Sequence, residues 1–157
     1  MPGRRSRSNA SEAAERAWQH AVRLLARRDR SEQELRSRLA AAGEAETTIN
    51  STLRRLRQLQ YVDDRRFAMA TAERAVRRGF GSEYLRVSLE QHGIAPTLID
   101  EAVRALYADE MAVARQVLGR RFPSEPQRPA QHAQAARFLL RRGFPEAVVF
   151  AILDEAC

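Results

Sequence analysis

The chain repeats itself at a spacing of 50 residues, and that period limits what it can fold into. Leu35 falls on Leu85, Leu39 on Leu89, Gly43 on Gly93, Ile49 on Ile99, Leu53 on Val103 and Leu56 on Leu106. Arg36 falls on Arg86, and the pair Arg27–Arg28 on Arg77–Arg78. A further step of 50 gives a weaker third copy, in which Leu139, Gly143, Val149 and Leu153 take the places of Leu39, Gly43, Ile49 and Leu53. A rival offset of 64 places Arg77-Arg78-Gly79-Phe80 on Arg141-Arg142-Gly143-Phe144. It matches only a tetrapeptide and puts the apolar positions out of register, so it is set aside as a repeat. A fixed period of this length marks tandem supersecondary units that bury their apolar faces against one another.

Apolar spacing makes each unit helical. Trp18, Ala21, Val22 and Leu25 fall at i, i+3, i+4 and i+7, one face of a helix predicted over Glu12–Arg28. Ser31-Glu32-Gln33-Glu34 reads as a capping box opening a second helix over Ser31–Ala42. Gly43 suits the left-handed residue that ends it, and a third helix over Glu46–Gln60 turns Ile49, Leu53 and Leu56 inward. In the second copy, Asp63 or Asp64 caps a helix running to Arg78. Gly79 and Gly81 precede a helix over Ser82–His92 that stops at Gly93, and Pro96 starts the next. The third copy is predicted as helices over Asp109–Phe122, Ala130–Arg142 and Pro145–Ala156, with Pro123, Pro126 and Pro129 in the first link. No strand run is found. The expected fold is therefore all-α: three tandem three-helix, helix-turn-helix-like repeats over residues 12–60, 61–108 and 109–157. A unit of this size buries little by itself, so an elongated, curved array is expected.

Composition narrows the function. Of the 157 residues, 44% are apolar and 30% charged, enough for a core and too much for wholesale disorder. The net charge is +7, all of its cations are Arg, and such a surface attracts polyanions, nucleic acid first among them. Residues 1–30 hold eight Arg and three acids, a net of +5, so the excess lies at the N-terminal end. Met1 to Ser11 has no apolar periodicity and reads as a flexible basic arm carrying Arg4, Arg5 and Arg7. No apolar run reaches the roughly 18–20 residues of a membrane span, and no apolar stretch follows the arm as a secretory signal would require. Cys157 is the only cysteine, which excludes an internal disulfide and fits a reducing cytoplasm.

No catalytic constellation is present. His20, His92 and His132 lack metal-ligand spacing, and the chain has no phosphate loop, dinucleotide fingerprint or nucleophile elbow. Neither metal nor cofactor is expected. Asp63-Asp64 reads as helix capping with a salt bridge to Arg66, since adjacent residues do not face each other on a helix. Trp18 and Phe67 could stack on bases, but both sit on apolar stripes and read as core. The pairs Arg27–Arg28, Arg77–Arg78 and Arg141–Arg142 fall near predicted helix C-termini. There they either offset the negative end of the helix dipole or form an anion-binding row, joined by Arg86.

Two stretches carry a family resemblance. Leu24-Leu25-Ala26-Arg27-Arg28-Asp29-Arg30-Ser31-Glu32-Gln33-Glu34-Leu35 resembles the opening signature of the RecX regulators of bacterial recombination. Tyr61-Val62-Asp63-Asp64-Arg65-Arg66-Phe67-Ala68 resembles the second signature, continued by Arg78-Gly79-Phe80-Gly81, Leu85, Leu89 and Gly93-Ile94. The likeness spans roughly residues 17–156 and is looser in the last third, where it rests on Phe138 to Phe144. It implies three tandem three-helix repeats and a regulator without catalysis. Such proteins lodge in the groove of the RecA–DNA filament and suppress its ATPase, strand exchange and coprotease activities. The expected partners are then the RecA filament and, weakly and without sequence preference, single- or double-stranded DNA. A monomer is the default. A sequence-independent DNA-binding module acting by competition for strands is the alternative.

Overall fold

The computed structural model describes residues 3–124 and 128–155. Among the described residues are nine helices and no strand: α1 (Gly3–Arg27), α2 (Glu32–Ala41), α3 (Glu46–Gln58), α4 (Asp64–Arg77), α5 (Ser82–Gln91), α6 (Pro96–Leu106), α7 (Glu110–Arg121), α8 (Pro129–Arg141) and α9 (Glu146–Glu155). Two compact units are formed. One takes the described residues up to Phe67 together with His92–Ile94; the other takes Ala68–Gln91 and the described residues from Ala95 on.

The 50-residue period is a period of burial. Leu39, Leu89 and Leu139 are each 0% exposed, and the corresponding Ile49, Ile99 and Val149 lie between 0% and 3%. Gly43, Gly93 and Gly143 all take positive φ, between 71° and 85°. In the first unit α1, α2 and α3 pack pairwise around Ala17, Ala21, Leu35, Leu39, Leu53 and Leu56. Trp18 lies half-buried against that core with the Arg55 guanidinium 3.9 Å from its ring centre. In the second unit α5 packs on α6, and α7, α8 and α9 close around Ala114, Leu118, Leu139, Phe144, Val149 and Leu153. Phe67 is buried, as its apolar stripe predicts.

Helix ends are satisfied in the same manner in both units. The first turn of a helix has free N–H groups and the last turn free carbonyls. In the first unit, Ser31 and Glu34 close the capping box on α2. The Glu32 N–H donates to Asp64 Oδ1 at 2.9 Å, and the Ser31 hydroxyl donates to the His92 carbonyl at 2.6 Å. In the second unit, the Ser82 N–H and hydroxyl both donate to the Glu110 carboxylate at 2.7 Å. There the Gly81 N–H donates to the Arg142 carbonyl at 2.8 Å and the Glu83 N–H to the Gly143 carbonyl at 3.0 Å. The turn that ends α8 is thus seated on the start of α5. A Cβ on Gly143 would lie 2.5 Å from Tyr84 Cβ, so only glycine permits this approach.

Two expectations are corrected. Residues 3–11, expected to precede the first helix as part of an arm over residues 1–11, are helical and form the first turns of α1, while Met1 and Pro2 lie outside the described residues. Once α1 is nucleated on its buried face, each added residue needs only one more hydrogen bond. No proline or glycine follows Gly3 to stop it, and Ser8 reaches Glu12 one turn on. Asp63 does cap α4 by accepting the Arg66 N–H at 3.0 Å. The Arg66 guanidinium, however, turns back to the Gln60 carbonyl at 3.2 Å instead of to an aspartate. Gln60 has φ 57°, and the bond holds that left-handed residue in place.

Candidate anion-binding cluster

The sequence-predicted arginines have unlike fates. Arg28 binds Glu34 at 2.7 Å and the Asp29 carbonyl at 3.0 Å, so it braces the end of α1 to the capping box of α2. Burial alone would raise the Glu34 pKa. The Arg28 hydrogen bond, the Ser31 N–H and the Arg28 charge together outweigh it and hold that carboxyl below the usual range. Arg86 binds Asp100 at 2.6 Å, and Arg36 binds Asn50 at 2.9 Å in the first copy, so both fasten the second helix of a repeat to its third. Arg27, Arg77 and Arg141 are exposed and make no polar contact among the described residues. Arg7 is exposed on α1; the side chains of Arg4 and Arg5 lie outside the described residues.

Arg78 and Arg142 come together. The Arg142 guanidinium donates to the Arg78 carbonyl at 2.7 Å, closing the C-terminus of α4. It lies 5.1 Å from the Phe80 ring centre and 5.3 Å from that of Phe138, and Arg78 lies 5.2 Å from Phe80. Phe80 in turn stacks on Tyr84 at 4.0 Å. The Tyr107 hydroxyl, whose pKa is raised chiefly by burial, donates to the Phe80 carbonyl at 2.7 Å and fixes this loop. The tetrapeptides Arg77–Phe80 and Arg141–Phe144, out of register as repeats, therefore meet in space.

Arg120 and Arg121 join them. A surface concavity of about 290 Å³ is lined by Arg78, Gly79, Val117, Arg120, Arg121, Phe138 and Arg142. Sequence reasoning missed Arg120 and Arg121 because they recur at no offset of 50. A signal was present: Arg120-Arg121-Phe122 is a third Arg-Arg helix end followed closely by phenylalanine. The ends of α4, α7 and α8 converge here, and each contributes about half a negative charge. Four guanidinium groups exceed that total by about 2.5 positive charges. None of the four pairs with a carboxylate among the described residues. Offsetting helix dipoles accounts for part of this cluster but leaves an unbalanced cationic site.

Among the described residues no group of three or more His, Cys, Asp or Glu could hold a metal ion, and no helix is long and apolar enough to cross a membrane.

Residues 17–56 match the family model for the first three-helix domain of RecX, and residues 63–103 that for its second three-helix domain. The chain is 39% identical over 124 residues to the regulatory protein RecX of Chromohalobacter salexigens, covering 79% of this chain and 82% of that one. It is 36% identical over 140 residues to the regulatory protein RecX of Halorhodospira halophila, covering 87% and 86%. The crystal structure of RecX from Lactobacillus salivarius superposes with a TM-score of 0.75 over 93% of this chain and 97% of that one. At 17% identity it speaks for the fold. With both domain models matched in order and relatives aligned over most of their length, this chain belongs to the RecX family.

Proposed function

We propose that this chain is a non-catalytic regulator that binds the RecA–DNA filament and restrains its ATPase, strand exchange and coprotease activities. The observation that carries this reading is the match to both RecX domains, with relatives named as regulatory proteins. The repeats over residues 12–60, 61–108 and 109–157 are its modules. It acts in the cytoplasm as a monomer without a cofactor. Modules linked in one chain would engage neighbouring filament subunits, and each contact made would raise the effective concentration of the next.

Co-sedimentation with preformed RecA filaments on single-stranded DNA tests the reading, with naked strand at equal nucleotide concentration as the reference. We expect filament-bound protein to exceed strand-bound protein and to persist when salt is raised. The unbalanced arginines favour one second reading, a sequence-independent DNA-binding module. Such a module with about six phosphate contacts loses affinity with a log–log salt slope near −5 on duplex, and shallower on single strands. Equal binding to filament and naked strand with that steep salt response would favour it.

A further inference from the structure

We infer that the concavity formed by Arg78, Arg120, Arg121 and Arg142 is a binding site for the phosphates of a single-stranded nucleic acid. The inference rests on the second reading above, a DNA-binding module, and deepens it by naming the site and the form of strand, from this site's own geometry. Four guanidinium groups share one opening with no carboxylate partner among the described residues. A lone carboxylate is saturated by one bidentate arginine, whereas a phosphodiester chain presents a new charge at every step. Phe138 forms part of the wall, half-buried against the core and Phe122, with the Arg142 guanidinium over its ring, so it steadies that cation beside the opening.

The arrangement is preorganised from both sides. Arg142 is held by its bond to the Arg78 carbonyl and lies over Phe80 and Phe138. Its own carbonyl accepts the Gly81 N–H, which locks the turn that carries it. Arg120 and Arg121 are exposed on the last turn of α7; Arg121 lies 5.1 Å from the Phe122 ring centre, and neither makes a polar contact among the described residues. A strand that binds therefore meets one cation held in place, Arg142, and three exposed ones, Arg78, Arg120 and Arg121, whose guanidinium groups can close on it.

The test uses the full chain, a fluorescently labelled oligothymidylate and no RecA. R120Q combined with R121Q removes two cations from the concavity. R38Q combined with R54Q removes two exposed cations elsewhere, neither of which has a polar partner among the described residues. Anisotropy titrations over a salt series then compare equal changes of net charge. Each phosphate contact contributes about 0.7 to the single-strand salt slope, so the concavity variant should bind more weakly, with a slope shallower by about 1.4. The control pair should keep the wild-type slope. Equal losses from the two pairs would show a diffuse field and overturn the site. Displacement of the oligothymidylate by polyglutamate at equal charge would overturn the ligand class in favour of an acidic peptide. R142K supplies a second check. It keeps the charge and a donor for the Arg78 carbonyl but loses the fork, and it should weaken binding while the thermal transition stays in place. Failure of these titrations leaves the filament sedimentation untouched, so the two readings fall separately.

Discussion

Replacing Gly143 and Gly43 by alanine separates the cost of a backbone conformation from the cost of a docked interface. Both glycines are left-handed, with φ 79° and 85°, so each alanine carries the same conformational penalty of about 1–2 kcal/mol. A Cβ at Gly43 would meet nothing within 4 Å. One at Gly143 would lie 2.5 Å from Tyr84 Cβ and 2.6 Å from the Tyr84 backbone nitrogen, and backbone cannot swing aside. The α8 turn must then retreat from α5, weakening the Gly81 and Glu83 N–H bonds to it, each of which is worth about 1 kcal/mol. Residual overpacking adds about 1–3 kcal/mol. G143A should thus be less stable than G43A by about 3 kcal/mol. At roughly 2–4 °C per kcal/mol for a chain of this size, its thermal midpoint should fall lower by about 6–12 °C. Circular dichroism at 222 nm during a thermal scan reads both variants. Equal midpoints for G43A and G143A would refute the reasoning, because no interface would then rest on Gly143. The same retreat carries Arg142 away from Arg78, so oligothymidylate binding should drop in G143A and stay unchanged in G43A.

Three further outcomes are expected. Gly119 sits in α7 without a positive φ, and a Cβ there would meet nothing within 4 Å, so G119A should raise stability by about 0.5–1 kcal/mol in urea titration. Asp64 accepts the Glu32 N–H, so D64A should lose about 1 kcal/mol while D64N, which keeps the acceptor, should lose less. Burial raises the Asp64 pKa, so its ionisation weakens the fold as pH rises from the unfolded value of about 3.9 through the folded one; D64N should gain on wild type across that window. Glu34 has the opposite sign, its folded pKa being depressed. Its contribution is complete above the unfolded value of about 4.3 and is lost as pH falls through the folded one, so E34Q should flatten the acid limb of the stability–pH curve.

What the sequence disclosed was whatever the chain encodes locally. Period-50 leucines and isoleucines are the buried ones, and Ser31-Glu32-Gln33-Glu34 is a closed capping box, because burial stripes and caps are written within a few residues. The predicted helix limits from α2 to α8 (for α6 its start alone) and the predicted start of α9 stand within about two residues of the observed ones for the same reason; the predicted end of α9, Ala156, lies outside the described residues. The start of α1 was hidden, since polar residues without an apolar stripe give no periodic signal and extend only a helix nucleated downstream. The cluster was half visible. Arg78 and Arg142 were singled out, but as members of a row with Arg27, Arg28 and Arg86, two of which are taken up by Glu34 and Asp100. Nothing in the spacing tells which arginine will find a carboxylate across a turn and which will not. The tetrapeptide repeat at offset 64 was rightly excluded from the repeat register, yet it marked two helix ends that touch. Local identity without periodicity can report a meeting place instead of a shared ancestry of units.

The most direct test of the proposed function is RecA's single-strand-dependent ATPase on preformed filaments, titrated with this protein near physiological salt. We expect inhibition at amounts well below one molecule per RecA, retained when salt is raised modestly. Inhibition only at amounts that coat the DNA, vanishing with that added salt, would contradict filament regulation and leave strand competition in its place.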